Sequence, residues 1–168
     1  MFAHILMPTD GTDHSERAIK RGIELAKLCG AKVTGIHVMP DDRPLIYAEG
    51  AFGPGLHGKI DTAARLRAES FLASVQSAAV AADVPCETVI ATNSQPFDAI
   101  INTANDRGCD LIVMTSRYRK GLAALLMGSE TSRVLHRASI PVLIFRALMS
   151  ADHPDKLLSK KNFGSSSE

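Results

Sequence analysis

Five short apolar runs, each closed by a proline, a glycine or a polar turn, are separated along this chain by four stretches of helical periodicity. Phe2–Pro8 (FAHILMP) is mostly apolar and gives way at its proline to the polar turn TDGTD, as a buried strand entering a loop does. Ala31–Met39 (AKVTGIHVM) is rich in β-branched residues and stops before Pro40, and Cys86–Ala91, Leu111–Thr115 (LIVMT) and Pro141–Phe145 (PVLIF) complete the set. In the first helical stretch, Asp13 followed by Glu16 marks a start, Ile19, Gly22, Ile23 and Ala26 share one face, and Gly30 is the stop. Ile60–Ala82 is a second helix without internal glycine or proline. Pro96 suits the first turn of a third, ending near Gly108, and Ser129–Arg137 is the fourth. Strands that alternate with helices pair in parallel, and right-handed crossovers put helices on both faces of the sheet. The expectation is a doubly wound α/β domain, Rossmann-like, with five parallel strands in the order 3-2-1-4-5.

In such a sheet, ligands bind beyond the carboxyl ends of the strands, where the strand order reverses. For this order the crevice lies between the first and fourth strands, and the loops that reach it are PTDGTD and TSRYRKGLAALLMGS. Asp10 ends the first strand, so its carboxylate is placed for a ribose hydroxyl or a phosphate-bound Mg²⁺; the alternative is an aspartate that shapes the turn with Gly11. Gly128-Ser129 opens the last helix, whose unpaired N–H groups and dipole favour a phosphate; the alternative is an ordinary serine cap behind a permissive glycine.

Composition excludes several other classes. The chain has 168 residues, one domain's worth, with 19 basic and 18 acidic side chains and a net charge of +1, so no global field attracts a polyanion and nucleic acid is not expected. No run approaches the roughly 18 apolar residues of a membrane span, and the N-terminus has no export signal. Cys29, Cys86 and Cys109 lie far apart without a CxxC pair and read as buried free thiols, which with the missing signal points to the cytoplasm. None of His4, His14, His37, His57, His136 and His153 has a nucleophile or metal spacing, so no catalytic residue is assigned; His37, at the carboxyl end of the second strand, is the histidine nearest the expected crevice. The stretch from Pro40 to about Lys59, with Pro44, Pro54 and several glycines, reads as a long irregular loop. The domain is expected over residues 1–146, followed by a polar, flexible tail over 147–168.

The segments ILMPTDGTDHSERA, the strand ending in HVM and LIVMTSRYRKGLAALLMGSETSRVLHRASIPVLIF resemble universal stress proteins, over approximately Phe2 to Phe145. Nucleotide-binding members of that family carry G-x2-G-x9-G-[ST] after the fourth strand. The same spacing here reads Thr115, Tyr118, Gly128, Ser129. The last two positions keep the pattern, whereas Thr and Tyr resist the positive φ and close phosphate approach that glycine permits. The resemblance implies adenine and ribose near Thr9, Asp10 and the backbone of Val38, and phosphates near Arg117, Gly128, Ser129 and Glu130, with Thr115 and Gly121 in the same loop. The cofactor it implies is ATP, with Mg²⁺ brought by the nucleotide to Asp10. It also implies a homodimer through the last strand, residues 141–145. The expected protein acts in stress response through dimerisation and unknown protein partners, with a degenerate ATP-binding loop. The alternative is a genuine ATP-binding member with slow or no ATPase activity, in which Arg117, Arg119 and Lys120 contact phosphates. A third reading, an enzyme of the broader adenine-nucleotide α-hydrolase-like superfamily, lacks a catalytic signature in the sequence.

Overall fold

The computed structural model describes residues 1–41, 54–116 and 129–146. Its elements are β1 (His4–Pro8), α1 (Asp13–Cys29), β2 (Lys32–Met39), α2 (Pro54–Ala81), β3 (Cys86–Thr92), α3 (Pro96–Asp106), β4 (Leu111–Ser116), α4 (Ser129–Arg137) and β5 (Val142–Arg146). The five strands form one sheet, all pairs parallel, in the order β3-β2-β1-β4-β5. This is the expected doubly wound arrangement, and it follows from runs too apolar to leave either face of the sheet in water.

Alternation along the strands divides the core. Ile5 and Met7 of β1, Val33 of β2, and Leu111 and Val113 of β4 point to one side, where Ile19, Ile23 and Ala26 of α1 and Val75 and Ala79 of α2 cover them. Leu6, Ile36, Ile112 and Met114 point to the other, against Phe97, Ile100 and Ala104 of α3 and Val134 of α4. Burying a large apolar side chain contributes about 1.5–3 kcal/mol, so each face independently holds its helices. Among the described residues no helix is long and apolar enough to cross a membrane.

Helix α1 begins at Asp13, as expected, and the start of α2 differs from the sequence reading. Thr12, not Asp13, caps α1: it has extended backbone and its hydroxyl accepts from the Ser15 N–H, while Asp13 and Glu16 sit in the first turn, where acids complement the helix dipole. The helix expected from Ile60 starts instead at Pro54, so residues 54–59 of the expected loop are helical. Proline's fixed φ suits a first turn, and the isolated Gly55 and Gly58 each cost only about 1 kcal/mol, which a long helix tolerates. The remainder of that loop, residues 42–53, and the tail, residues 147–168, lie outside the described residues.

Candidate functional site

At the carboxyl ends of β1 and β4, where the strand order reverses, the chain leaves a cavity of about 330 Å³. The two central strands lead there into connections that run in opposite directions, which leaves a crevice between them. The walls come from β1, β2 and β4 and from the N-terminal turns of three helices. Pro8, Thr9 and Asp10 follow β1, Ser15 lies in the first turn of α1, and Ile36, His37 and Val38 end β2. Pro96 and Ile100 belong to α3, Met114 and Thr115 to β4, and Ser129, Glu130 and Thr131 open α4.

The Thr9–Thr12 turn is built by its own side chains. Asp10 Oδ1 accepts from the Thr12 N–H at 3.1 Å and from the Thr12 hydroxyl at 2.6 Å, which fixes the carboxylate at the cavity mouth. Thr9 Oγ1 accepts from the Gly11 N–H and lies 3.2 Å from Ser15 Oγ. The Thr9 carbonyl takes a hydrogen bond of 2.8 Å from His37, and a carbonyl only accepts, so Nδ1 of His37 carries a proton. On the far wall, the Thr131 hydroxyl donates to the Thr115 carbonyl at 3.2 Å, tying the first turn of α4 to the end of β4.

Helices α3 and α4 are joined by one carboxylate. Gln95, the residue before α3, makes no side-chain cap; Glu130 of α4 supplies it, its Oε2 accepting from the Phe97 N–H at 3.0 Å. Its Oε1 accepts from Arg133 at 3.3 Å and, more weakly at 3.4 Å, from the Ser129 hydroxyl. Arg133 and Arg137 also lie over the buried Phe97 ring, 5.2 and 4.8 Å from its centroid.

The groups whose titration is displaced lie at the opposite, amino end of the sheet. Burial pushes the Cys109 thiol up to about 11 and raises that of Cys86, which keeps both protonated and unreactive at neutral pH. Burial, reinforced by the charge of Lys32, lowers the pKa of His4.

Of the residues singled out from sequence, Thr9, Asp10, Val38, Thr115, Ser129 and Glu130 are brought to this one cavity, although they come from four elements. His37 lines it as well. Arg117, Gly121 and Gly128, with Tyr118, Arg119 and Lys120, lie outside the described residues. Sequence reasoning missed Pro8, Ser15, Ile36 and Met114, which carry no motif on β1, α1, β2 and β4, and Pro96, Ile100 and Thr131, which reach the cavity because α3 and α4 pack against this edge. Among the described residues no group of three or more His, Cys, Asp or Glu side chains is gathered for a metal ion; Asp10 and Glu130 are the carboxylates of the wall.

A doubly wound sheet with a crevice at its switch point, walled by a strand-end aspartate and the N-terminus of the last helix, defines a class of small-ligand-binding α/β domains. The chain belongs to the Universal stress protein family, which it matches over residues 1–146. It is 31% identical over 146 residues to the universal stress protein in the QAH/OAS sulfhydrylase 3′ region of Thermus aquaticus, covering 87% of this chain and 100% of that one. The structure of the Methanocaldococcus jannaschii protein MJ0577 superposes with a TM-score of 0.68 at 26% identity, over 89% of this chain and 99% of that one. The universal stress protein from Archaeoglobus fulgidus in complex with dAMP superposes with a TM-score of 0.60 at 18% identity, over 86% and 97% of the two chains.

Proposed function

We propose that this chain is an adenine-nucleotide-binding universal stress protein that works as a regulatory binding module in stress response, through self-association and protein partners. The observation that carries the reading is the division of labour in the crevice. Ile36, Val38, Ile100 and Met114 provide an apolar slot, while the Asp10 carboxylate stands at the mouth beside the start of α4. A planar base fits the slot, and a ribose hydroxyl can donate to the carboxylate. A cavity of about 330 Å³ lies at the small end of the usual range for ligand pockets. The dAMP complex of the Archaeoglobus fulgidus relative supports the same ligand class.

Binding rather than turnover is favoured by how the wall's carboxylates are used. A general base for hydrolysis needs to be within hydrogen-bond reach of an attacking water. Glu130 is held by the Phe97 N–H and Arg133, and the Asp10 carboxylate, fixed by Thr12, faces the ribose in this reading and not an attacking water. A magnesium ion would find Asp10 as its ligand from the described wall and would have to arrive with the phosphates.

The test is the thermal midpoint of ligand-stripped protein with and without AMP, with Asp10→Asn as the control, since the amide oxygen can still accept from Thr12. At about 100 times its Kd a ligand contributes about 2.7 kcal/mol, and at about 2–4 °C per kcal/mol for a domain of this size the midpoint rises by roughly 5–11 °C. The rise is expected in the natural protein and reduced in the variant. No rise with adenosine, AMP or ATP would overturn the reading.

A further inference from the structure

Two helices begin at the crevice, α3 at Pro96 and α4 at Ser129. Helix N-termini attract anions, because their first N–H groups are unpaired and the dipole is positive there. In this chain an anion is already present. The Glu130 carboxylate accepts from the Phe97 N–H of α3 at 3.0 Å, from Arg133 at 3.3 Å and from the Ser129 hydroxyl at 3.4 Å. It therefore engages three donors that a bound phosphate at this end would compete for: one backbone N–H, one hydroxyl and one guanidinium.

The charge of the wall points the same way. Asp10 and Glu130 both line the cavity, so two carboxylates face it. Arg133 is paired with Glu130 and also lies over the Phe97 ring. A chain of phosphates entering here would bring several negative charges beside two fixed ones and would have to displace a charge-assisted cap whose loss leaves the N-terminus of α3 unsatisfied.

We propose that Glu130 is a resident anion at the helix-terminus end of the crevice, and that it sets the ligand class: adenosine and its monophosphate in preference to the triphosphate. The proposal rests on the adenine-nucleotide reading above and narrows it. The nucleoside half of ATP fits the cavity, and its triphosphate half does not fit beside Glu130. Glu130 is thus a specificity-determining residue that also positions α3.

The experiment measures the affinities of adenosine, AMP and ATP, each with magnesium in excess, for the natural protein and for Glu130→Gln. The glutamine amide oxygen can still accept from the Phe97 N–H, so the cap persists while the charge goes. The natural protein is expected to bind adenosine and AMP more tightly than ATP. In Glu130→Gln the ATP affinity should rise about tenfold relative to that of adenosine, the effect of removing one like charge a few ångströms away in a partly dry site. ATP bound most tightly by the natural protein, with the ratio unchanged in the variant, would overturn the proposal and leave adenine-nucleotide binding standing. Failure of all three ligands to bind would overturn the adenine-nucleotide reading itself. A measurement on the natural protein alone serves if the variant does not fold: ATP affinity against salt. Like-charge repulsion is screened by salt, so affinity should rise with ionic strength. A fall would mean that cations hold the phosphates, and the proposal would be wrong.

Discussion

Gly11 sits at φ +72°, and a Cβ built on it would run into the Cδ1, Cε1 and Cζ atoms of the Phe71 ring. That ring has little room to yield, because it packs edge-on against His37 with centroids 5.2 Å apart, and His37 in turn holds the Thr9 carbonyl. One missing methyl group thus lets the turn that carries Asp10 lie under α2. Gly11→Ala combines a backbone conformation that alanine resists with an overlap against a ring, and should destabilise the fold by about 1–3 kcal/mol. Denaturant unfolding checks this, and the double variant with Phe71→Ala should lose less than the sum of the two single changes, because the overlap disappears with the ring. A Gly11→Ala protein as stable as the natural one would show that the turn is not pinned by Phe71.

Three strands are tied together at the amino end of the sheet by a chain of side chains. The Thr34 hydroxyl of β2 donates to Glu87 of β3 at 2.9 Å, so its oxygen accepts from Nε2 of the buried His4 of β1 at 2.7 Å. Arg107 donates to the other oxygen of Glu87 at 2.7 Å, and Asp110 accepts from the N–H groups of Ala3 and His4. Lys32, Glu87 and Asp110 are the charged groups that bear on His4, and the backbone of Arg107 hydrogen-bonds to it, which raises its pKa. Burial first, then Lys32, lowers its pKa below the ordinary 6.5, against the opposing pull of Glu87 and Asp110. The unfolded chain therefore takes up this proton at higher pH than the fold does. The contribution of His4 to stability is complete above 6.5 and declines as pH falls below it. Glu87 is lowered chiefly by the Thr34 hydrogen bond, with Arg107 adding to it against burial. For Asp110, burial raises the pKa but the backbone N–H groups of His4 and Ala3 outweigh it. These carboxylates lose their contribution only below their ordinary values of 4.5 and 3.8. Urea midpoints across pH should show a first decline beginning near 6.5 that His4→Gln flattens, and a separate acid limb that it leaves in place. An unchanged first decline in the variant would assign it elsewhere. Such ties explain what the sequence could and could not disclose. The strands and their order were legible because runs such as LIVMT are apolar enough to demand cover on both faces. Asp10 was legible because it stands at the end of such a run, and Ser129 because with Gly128 it opens the last helical stretch. The cap that Glu130 gives to Phe97, 33 residues away, and the contact of Gly11 with Phe71 are tertiary and leave no local pattern. The early start of α2 was hidden by glycines that a long helix absorbs.

At the scale of the whole molecule the last strand of the sheet differs from its inner neighbour, and the difference bears on assembly. Leu111, Ile112, Val113 and Met114 of β4 are all buried. Val142, Leu143, Ile144 and Phe145 of the neighbouring β5 are as apolar, yet none of them is fully buried, and Leu143 keeps 36% of its surface exposed. The strand pairs with β4 from Val142 to Arg146. Among the described residues no strand pairs with its other edge. An apolar edge strand in that state is a template for association. A second copy of the same strand is the simplest partner, because a two-fold contact lets one surface satisfy itself. Five residues in a strand span only about 17 Å, short of the roughly 800 Å² per partner of a standard interface, so flanking surface has to take part. Analytical ultracentrifugation of the natural protein should find a dimer at micromolar concentration. Leu143→Arg should shift it to monomer while leaving the urea midpoint of the monomer within about 0.5 kcal/mol, since the position is partly in water to begin with. Adenosine affinity should be kept in that variant, because the crevice is walled within one chain at the other edge of β4. A natural protein that sediments as a monomer would instead leave this strand's exposed face to a different partner.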